Sequence, residues 1–386
     1  MLFSQIIGHQ QIKQRFIQSV TEQRIAHAQL ISGREGIGKL HLALAYAQYI
    51  SCTNRTESDS CGVCPSCVKY AKLAHPDLHF AFPYIKPEGS KTWICNDFLP
   101  KFREMILNNE YFGFDDWLDF SSDGSKKQGY IFANESEEII RKLNLKSYES
   151  EYKIMLIWLP EKMYGDVVAN KILKILEEPP EKTVFLLVSN QPNLLLPTII
   201  SRTQPVYVPP LAESEIAAAL LVNENFNLTE QNALRIAHIA NGSLLDAFKI
   251  AANDEENAAN FERFTSLMRY AWCVGAKKKY SALKELRVWA DEISAANVGR
   301  EQQKKFLNYA LQMVRENYIF NLSQPQINYL TATEENFAKN FSRFINEKNV
   351  EKMMDEFSLA QRQINQNANA KIVFFDIALK MIMMLK

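Results

Sequence analysis

The chain has 386 residues, with 44 lysines and arginines against 44 aspartates and glutamates. That length exceeds one ordinary domain and leaves room for two or three cores. The charge balance excludes a globally basic nucleic-acid-coating surface, so any contact with DNA has to come from a local patch.

The first residues, MLFSQIIGHQQIKQ, turn polar too early for a signal-peptide core. No run reaches the roughly 18 apolar residues a membrane helix needs, so a cytoplasmic protein without a membrane partner is expected. Residues 10–24 carry apolar side chains at helical intervals, and AHAQLISG reads as a buried strand entering a glycine-rich turn. LHLALAYAQYI then supplies a helix, and the unit strand, phosphate-type loop, helix opens a parallel α/β sheet. The loop is Gly33-Arg34-Glu35-Gly36-Ile37-Gly38-Lys39-Leu40, in the context a Walker A match requires. Its glycines allow backbone N–H groups to close around phosphate, and Lys39 would reach the β and γ phosphates. The next position normally carries the hydroxyl that holds magnesium, and leucine cannot ligate a hard cation.

Cys52, Cys61, Cys64 and Cys67 follow as C-x8-C-x2-C-x2-C. Spacing of this kind aims successive thiolates at one centre about 2.3 Å away, and four of them complete the closed tetrahedron of a structural zinc site. The alternative is a loop of ordinary reduced cysteines, while Cys95 and Cys273 stand apart as small hydrophobes. Residues 85–130, polar and turn-rich in PEGSKTW and DFSSDGSKKQG around the aromatic centre NNEYFGFDDWLDF, read as an inserted lobe with no assigned role.

KIMLIW and TVFLLVS are unalternating, as central strands covered on both faces should be. Trp158 and Leu159 stand where an ATPase would carry its metal-binding and water-positioning acids, and Glu161, beyond Pro160, reads as a surface or helix-entry carboxylate. A helix from Asp166 to Glu178 separates the two strands and stops at Pro179 and Pro180. From about Leu211 strand-like runs give way to helical periodicity: AESEIAAALL, NALRIAHIA and LLDAFKIAA form one small bundle, and helices from about Asn260 form another. The final stretch KIVFFDIALKMIMMLK, apolar nearly all round, is expected to be a buried packing helix. The run Lys277, Lys278 and Lys279 is expected to be a solvated helix face.

The glycine loop, the four-cysteine module, the run from Ala169 to Pro180, Ser201-Arg202-Thr203 and Gly242-Ser243-Leu244, together with Phe3 and Gly8, resemble the delta-prime-type subunits of bacterial DNA polymerase III clamp loaders, over roughly residues 1–60 and 130–255. The resemblance implies an AAA+ P-loop α/β domain over 1–208 holding the zinc module at 52–67 and the insert at about 85–130. It further implies a helical lid over 209–252 and a helical collar for oligomerisation over 253–386. It implies a pentameric ring with gamma/tau motor subunits and a delta subunit that opens the sliding clamp and places it on primer-template DNA. Arg202 falls where such subunits project an arginine finger into a neighbour's ATP site, with Thr203 in place of the family's usual cysteine. Leu245 replaces the sensor-2 arginine of the motor subunits. Gly33, Gly36, Gly38 and Lys39 then form a degenerate phosphate loop with weak or no ATP binding, in a subunit that does not hydrolyse ATP. The competing reading is an active AAA+ motor ATPase with atypical site residues.

Overall fold

The computed structural model describes residues 1–87, 93–109, 111–122, 128–226, 228–252, 254–295, 298–324 and 327–385. Parts of both polar stretches of the insert, at 88–92 and 123–127, lie outside the described residues, as does Glu110. Two compact units are present, Met1–Ile250 and Ala251–Lys386.

In the first unit the elements run α1 (Gln10–Thr21), β1 (Ala28–Ser32), α2 (Lys39–Ser51), α3 (Pro65–Ala71), β2 (Leu78–Ala81), α4 (Cys95–Asn108), α5 (Phe114–Ser122), α6 (Ala133–Asn144), β3 (Lys153–Trp158), α7 (Asp166–Glu177), β4 (Thr183–Ser189), α8 (Pro197–Ile200) and β5 (Gln204–Tyr207). Helices α9 (Glu213–Val222), α10 (Glu230–Ala240) and α11 (Leu244–Ala252) follow. The strands form one parallel sheet in the order β2-β3-β4-β1-β5. With the glycine loop running from β1 into α2, this is the expected P-loop α/β class followed by helices. β1, β3 and β4 are buried along their whole length, and the unalternating apolar runs of β3 and β4 made those two legible as central strands. β2 and β5 occupy the two edges and were not expected. β5 buries only Val206 and contains Pro205, so its four residues carry no strand pattern.

The insert is not a separate lobe. An antiparallel bridge between Tyr84 and Tyr130, with N–H···O distances of 3.1 Å in both directions, closes its base. Phe102 of α4 stacks on Phe82 at 3.9 Å, and Trp117 of α5 meets both rings edge-on, all within the core that covers the sheet. The Trp117 indole donates to the Pro83 carbonyl at 2.7 Å, so this large buried ring leaves no polar atom unmet.

The second unit consists of α12 (Asp254–Gly275), α13 (Ala282–Ile293), α14 (Gly299–Asn321), α15 (Ala332–Phe341), α16 (Val350–Asn365) and α17 (Ala370–Met384) around a core that includes Phe264, Trp289, Phe306, Phe357 and Phe374. α17, expected as a buried packing helix, puts Phe374, Ile377 and Met381 into this core and leaves Ile372 and Met383 exposed. Lys277 lies over the Trp272 ring at 4.4 Å, so the basic run is at least partly engaged in packing. Among the described residues no helix is long and apolar enough to cross a membrane.

Candidate functional site

The four cysteines converge. α2 ends at Ser51, Cys52 follows in an extended conformation, and α3 begins just after Cys64 with Pro65 at its first position, where a missing N–H costs nothing. The four Sγ atoms lie within 4.8 Å of one another, with contacts of 3.6 Å (Cys52–Cys61), 3.9 Å (Cys61–Cys67) and 4.0 Å (Cys52–Cys64). A zinc ion with bonds of about 2.3 Å to a tetrahedron of thiolates requires sulfur separations of about 3.8 Å. These separations therefore fit a metal and are far beyond a disulfide bond. Backbone amides of Cys61, Cys64 and Cys67 point at the sulfurs of Cys52, Cys61 and Cys64 at 3.3–3.4 Å, the donors a cluster of thiolates needs. Burial raises the Cys64 thiol, yet the Cys67 amide and Thr53 more than offset it and bring the group down to about 6. Cys67 is pushed up by burial and by its thiol neighbours, the penalty that a divalent cation at the centre would reverse. The module is tied to the domain by Asp59, which accepts from the amides of Phe3 and Ser4 at 3.0 and 2.9 Å, and by Tyr49, which donates to Thr56 at 2.9 Å.

At the glycine loop, Gly36 and Gly38 have φ of +80° and +86°, the left-handed region where a side chain would be strained. Lys39 is buried and its Nζ donates to the carbonyl of Arg34 in its own loop. Burial pulls its pKa down to about 8, partly offset by Glu35 and Glu161. Leu40, Trp158, Leu159 and Leu245 are all buried. The Gly36 carbonyl instead accepts from the amides of Leu244 and Leu245 at 3.0 and 3.2 Å, binding the loop to the start of α11. Glu161, expected as a surface or helix-entry carboxylate, stands in the first turn of a short 3-10 helix over Pro160–Lys162; it is half-buried, and one oxygen accepts from the amides of Asn190 and Gln191 at 2.8 and 3.1 Å.

The space above the loop is small. A cavity of about 30 Å³ is lined by Glu35, Lys39, His41, Tyr111, Phe112 and Trp158, among others. That is room for a water molecule or two, whereas sites for drug-sized ligands take about 300–1,000 Å³. Tyr111, Phe112 and Glu161 were not recognised as part of this site from sequence. The aromatic centre of the insert was visible, but nothing local says which surface it packs on.

His41 lines this cavity, and burial holds its pKa at about 4; His79 in β2 is likewise pushed to about 4, chiefly by burial. Both are neutral in the folded state at pH 7, as in the unfolded chain above its ordinary pKa of about 6.5. As pH falls from about 6.5 towards 4 the unfolded chain gains protons that the folded one does not, so stability is lost in that window. The expected cost at pH 5 is about 2 kcal/mol for His41 and less for half-buried His79. Urea unfolding at pH 7 and pH 5 measures it; equal stabilities, or an unchanged pH dependence in His41→Gln, would contradict the assignment.

Arg202 follows α8 at the foot of β5. Its guanidinium donates to the Thr198 carbonyl at 3.0 Å and pairs with Glu177, at the end of α7, at 2.5 Å. The side chain is 35% exposed, so it is accessible as well as paired. Thr203 is buried and donates to the Ile200 carbonyl at 3.0 Å, a polar contact suited to a small side chain. Of the residues singled out from sequence, the structure brings together the four cysteines, and separately the glycine loop with Trp158 and Leu245. Arg202 touches neither group among the contacts described.

Residues 8–212, more than half of the chain, match the family model described as DNA polymerase III, delta subunit. A DNA polymerase III subunit delta' of Bacillus subtilis is 28% identical over 237 residues, covering 61% of this chain and 57% of that protein. The corresponding subunit of Yersinia pestis is 30% identical over 179 residues, 46% of this chain and 39% of that one. A subunit tau/gamma of Haemophilus influenzae is 25% identical over 251 residues, 64% of this chain and 30% of its own length. The chain thus spans less than two thirds of each of these relatives. With the glycine loop and the four-cysteine cluster both inside the matched region, the chain belongs to the DNA polymerase III delta subunit family.

Proposed function

We propose that the chain is a non-hydrolysing subunit of a DNA polymerase III clamp loader. In this role it binds gamma/tau motor subunits and a delta subunit and helps them open the sliding clamp and load it on primer-template DNA in the cytoplasm. One observation carries the reading: a glycine loop with left-handed Gly36 and Gly38 sits beneath a cavity of about 30 Å³, with leucine and tryptophan where metal ligands and a water-positioning acid would belong. Phosphoryl transfer relies on positioning and charge stabilisation by the metal and its ligands, so this site has lost its means of catalysis while keeping the domain's form. Arg202 is the residue through which the chain would act on a neighbour's ATP, and zinc held by Cys52, Cys61, Cys64 and Cys67 would be structural.

The isolated chain is therefore expected to show no ATPase above background, and to be recovered from the source cell together with motor subunits. Turnover at the rate of ordinary AAA+ motors would favour the active-motor alternative, which the tau/gamma relatives keep in view. Recovery of the chain alone would count against membership of a clamp loader.

A further inference from the structure

We propose that the insert segment Tyr111–Asp116 takes the place of nucleotide in this subunit: it seals the phosphate loop and joins it to α11. This deepens the non-hydrolysing reading and rests on it only for the identity of the absent ligand.

The contacts run from the loop to the insert and on to α11. The ring of Tyr111 lies so close to Gly38 that a Cβ built there would stand 3.0 Å from its Cε1. The same ring faces His41 at 5.6 Å and meets Phe248 of α11 edge-on at 5.9 Å. Phe112 meets the same His41 edge-on at 6.5 Å and packs on Trp158 at 5.4 Å, over the end of β3 where an ATPase needs carboxylates and water. Polar bonds fix the segment from both sides. The Phe114 amide donates to Glu35 of the loop at 2.8 Å, and Asn190 donates to the same carboxylate oxygen at 3.2 Å. Asp116 accepts Lys249 of α11 on both oxygens at 2.7 Å and the Gly113 amide at 2.7 Å.

Together these contacts do two things that a bound nucleotide does elsewhere. They fill the space over the backbone N–H groups of the loop, with aromatic surface in place of phosphate and base. They also bridge the α/β sheet and the helices after it, alongside the Arg34 pair with Asp246 at 3.2 Å and the Leu244 and Leu245 amide bonds to Gly36. A bridge made of covalently attached chain is always present, so its effective concentration does not depend on nucleotide supply. The subunit keeps one arrangement through a cycle in which its neighbours would change theirs.

The test uses the full chain and a fluorescent ADP analogue. Wild type is expected to show no saturable binding up to millimolar probe, and Tyr111→Ala/Phe112→Ala to bind it with at least tenfold higher affinity than that limit, the gain being lost when Lys39→Ala is added. Saturable binding by wild type, or none by a folded double variant, would overturn the proposal. Wild-type binding without hydrolysis would do so while leaving the non-hydrolysing reading intact. Should the double variant not fold, Asp116→Ala removes the half-exposed bridge to Lys249 together with the Gly113 contact and leaves the aromatic rings in place. Hydrogen exchange at the Leu244 and Leu245 amides should then accelerate at least tenfold while the cysteine module is unchanged, and unaltered exchange there would equally overturn the proposal.

Discussion

Cys64→Ser is expected to leave the chain without bound metal and to lower the stability of the Met1–Ile250 unit by about 4 kcal/mol, the linkage value for a metal held at a thousand times its dissociation constant. For a unit of this size that is a fall of roughly 8–16 °C in midpoint. The reasoning starts from the sulfur tetrahedron, whose edges match a zinc centre, and from the cost of four crowded thiols without a cation. It continues through Asp59 and Thr56, which tie the loop between Cys52 and Cys61 to the N-terminal residues and α2, so that loss of the centre releases more than a surface turn. Metal analysis of gently purified protein should find about one zinc per chain, as a closed four-thiolate site holds one ion. Cys273→Ser, far from the cluster in sequence and in the other compact unit, should leave that content unchanged. Protein purified without zinc, or full zinc retention in Cys64→Ser, would refute the site.

What the sequence made legible follows the physics of each element. The central strands announced themselves because both faces are covered, and α7 because Pro179 and Pro180 bound it. The cysteine spacing encodes a local geometry, and the structure folds it as expected. β2 and β5 were missed because an edge strand of four residues is held by its neighbour's backbone rather than by a pattern of its own. A bridge between Tyr84 and Tyr130 joins the two sides of the insert, and the packing of its aromatic centre was hidden in the sequence. Tyr111 meets Gly38 and Phe248 across 73 and 137 positions of chain, and only tertiary packing decides such contacts. Glu161 was legible as a helix-entry carboxylate, but its partners Asn190 and Gln191 come from the end of another strand and were hidden for a similar reason.

Arg202→Ala is the change expected to affect the assembled complex most while leaving this chain folded. The ion pair with Glu177 is partly exposed on both sides, 35% and 46%, and such pairs contribute about 0–1 kcal/mol. Its loss should barely move the unfolding midpoint. A guanidinium placed across an interface is another matter, because it is always charged and its planar fork can hold two phosphate oxygens as negative charge spreads over the transferring group. Arginine fingers contribute about 10³–10⁵ in rate at the site they serve. Because only one of several sites in a ring would lose its finger, DNA-stimulated ATPase and clamp loading should fall in part, with assembly intact. Glu177→Gln separates the two roles that one side chain could fill. If Arg202 matters only through its pair with Glu177, the two variants should share a phenotype; if it acts on a neighbour's phosphate, Glu177→Gln should retain full ATPase because the guanidinium is freed rather than removed. Undiminished ATPase in a fully assembled Arg202→Ala complex would defeat the finger, and failure of both variants to assemble would assign Arg202 to holding α7 against the segment that follows α8.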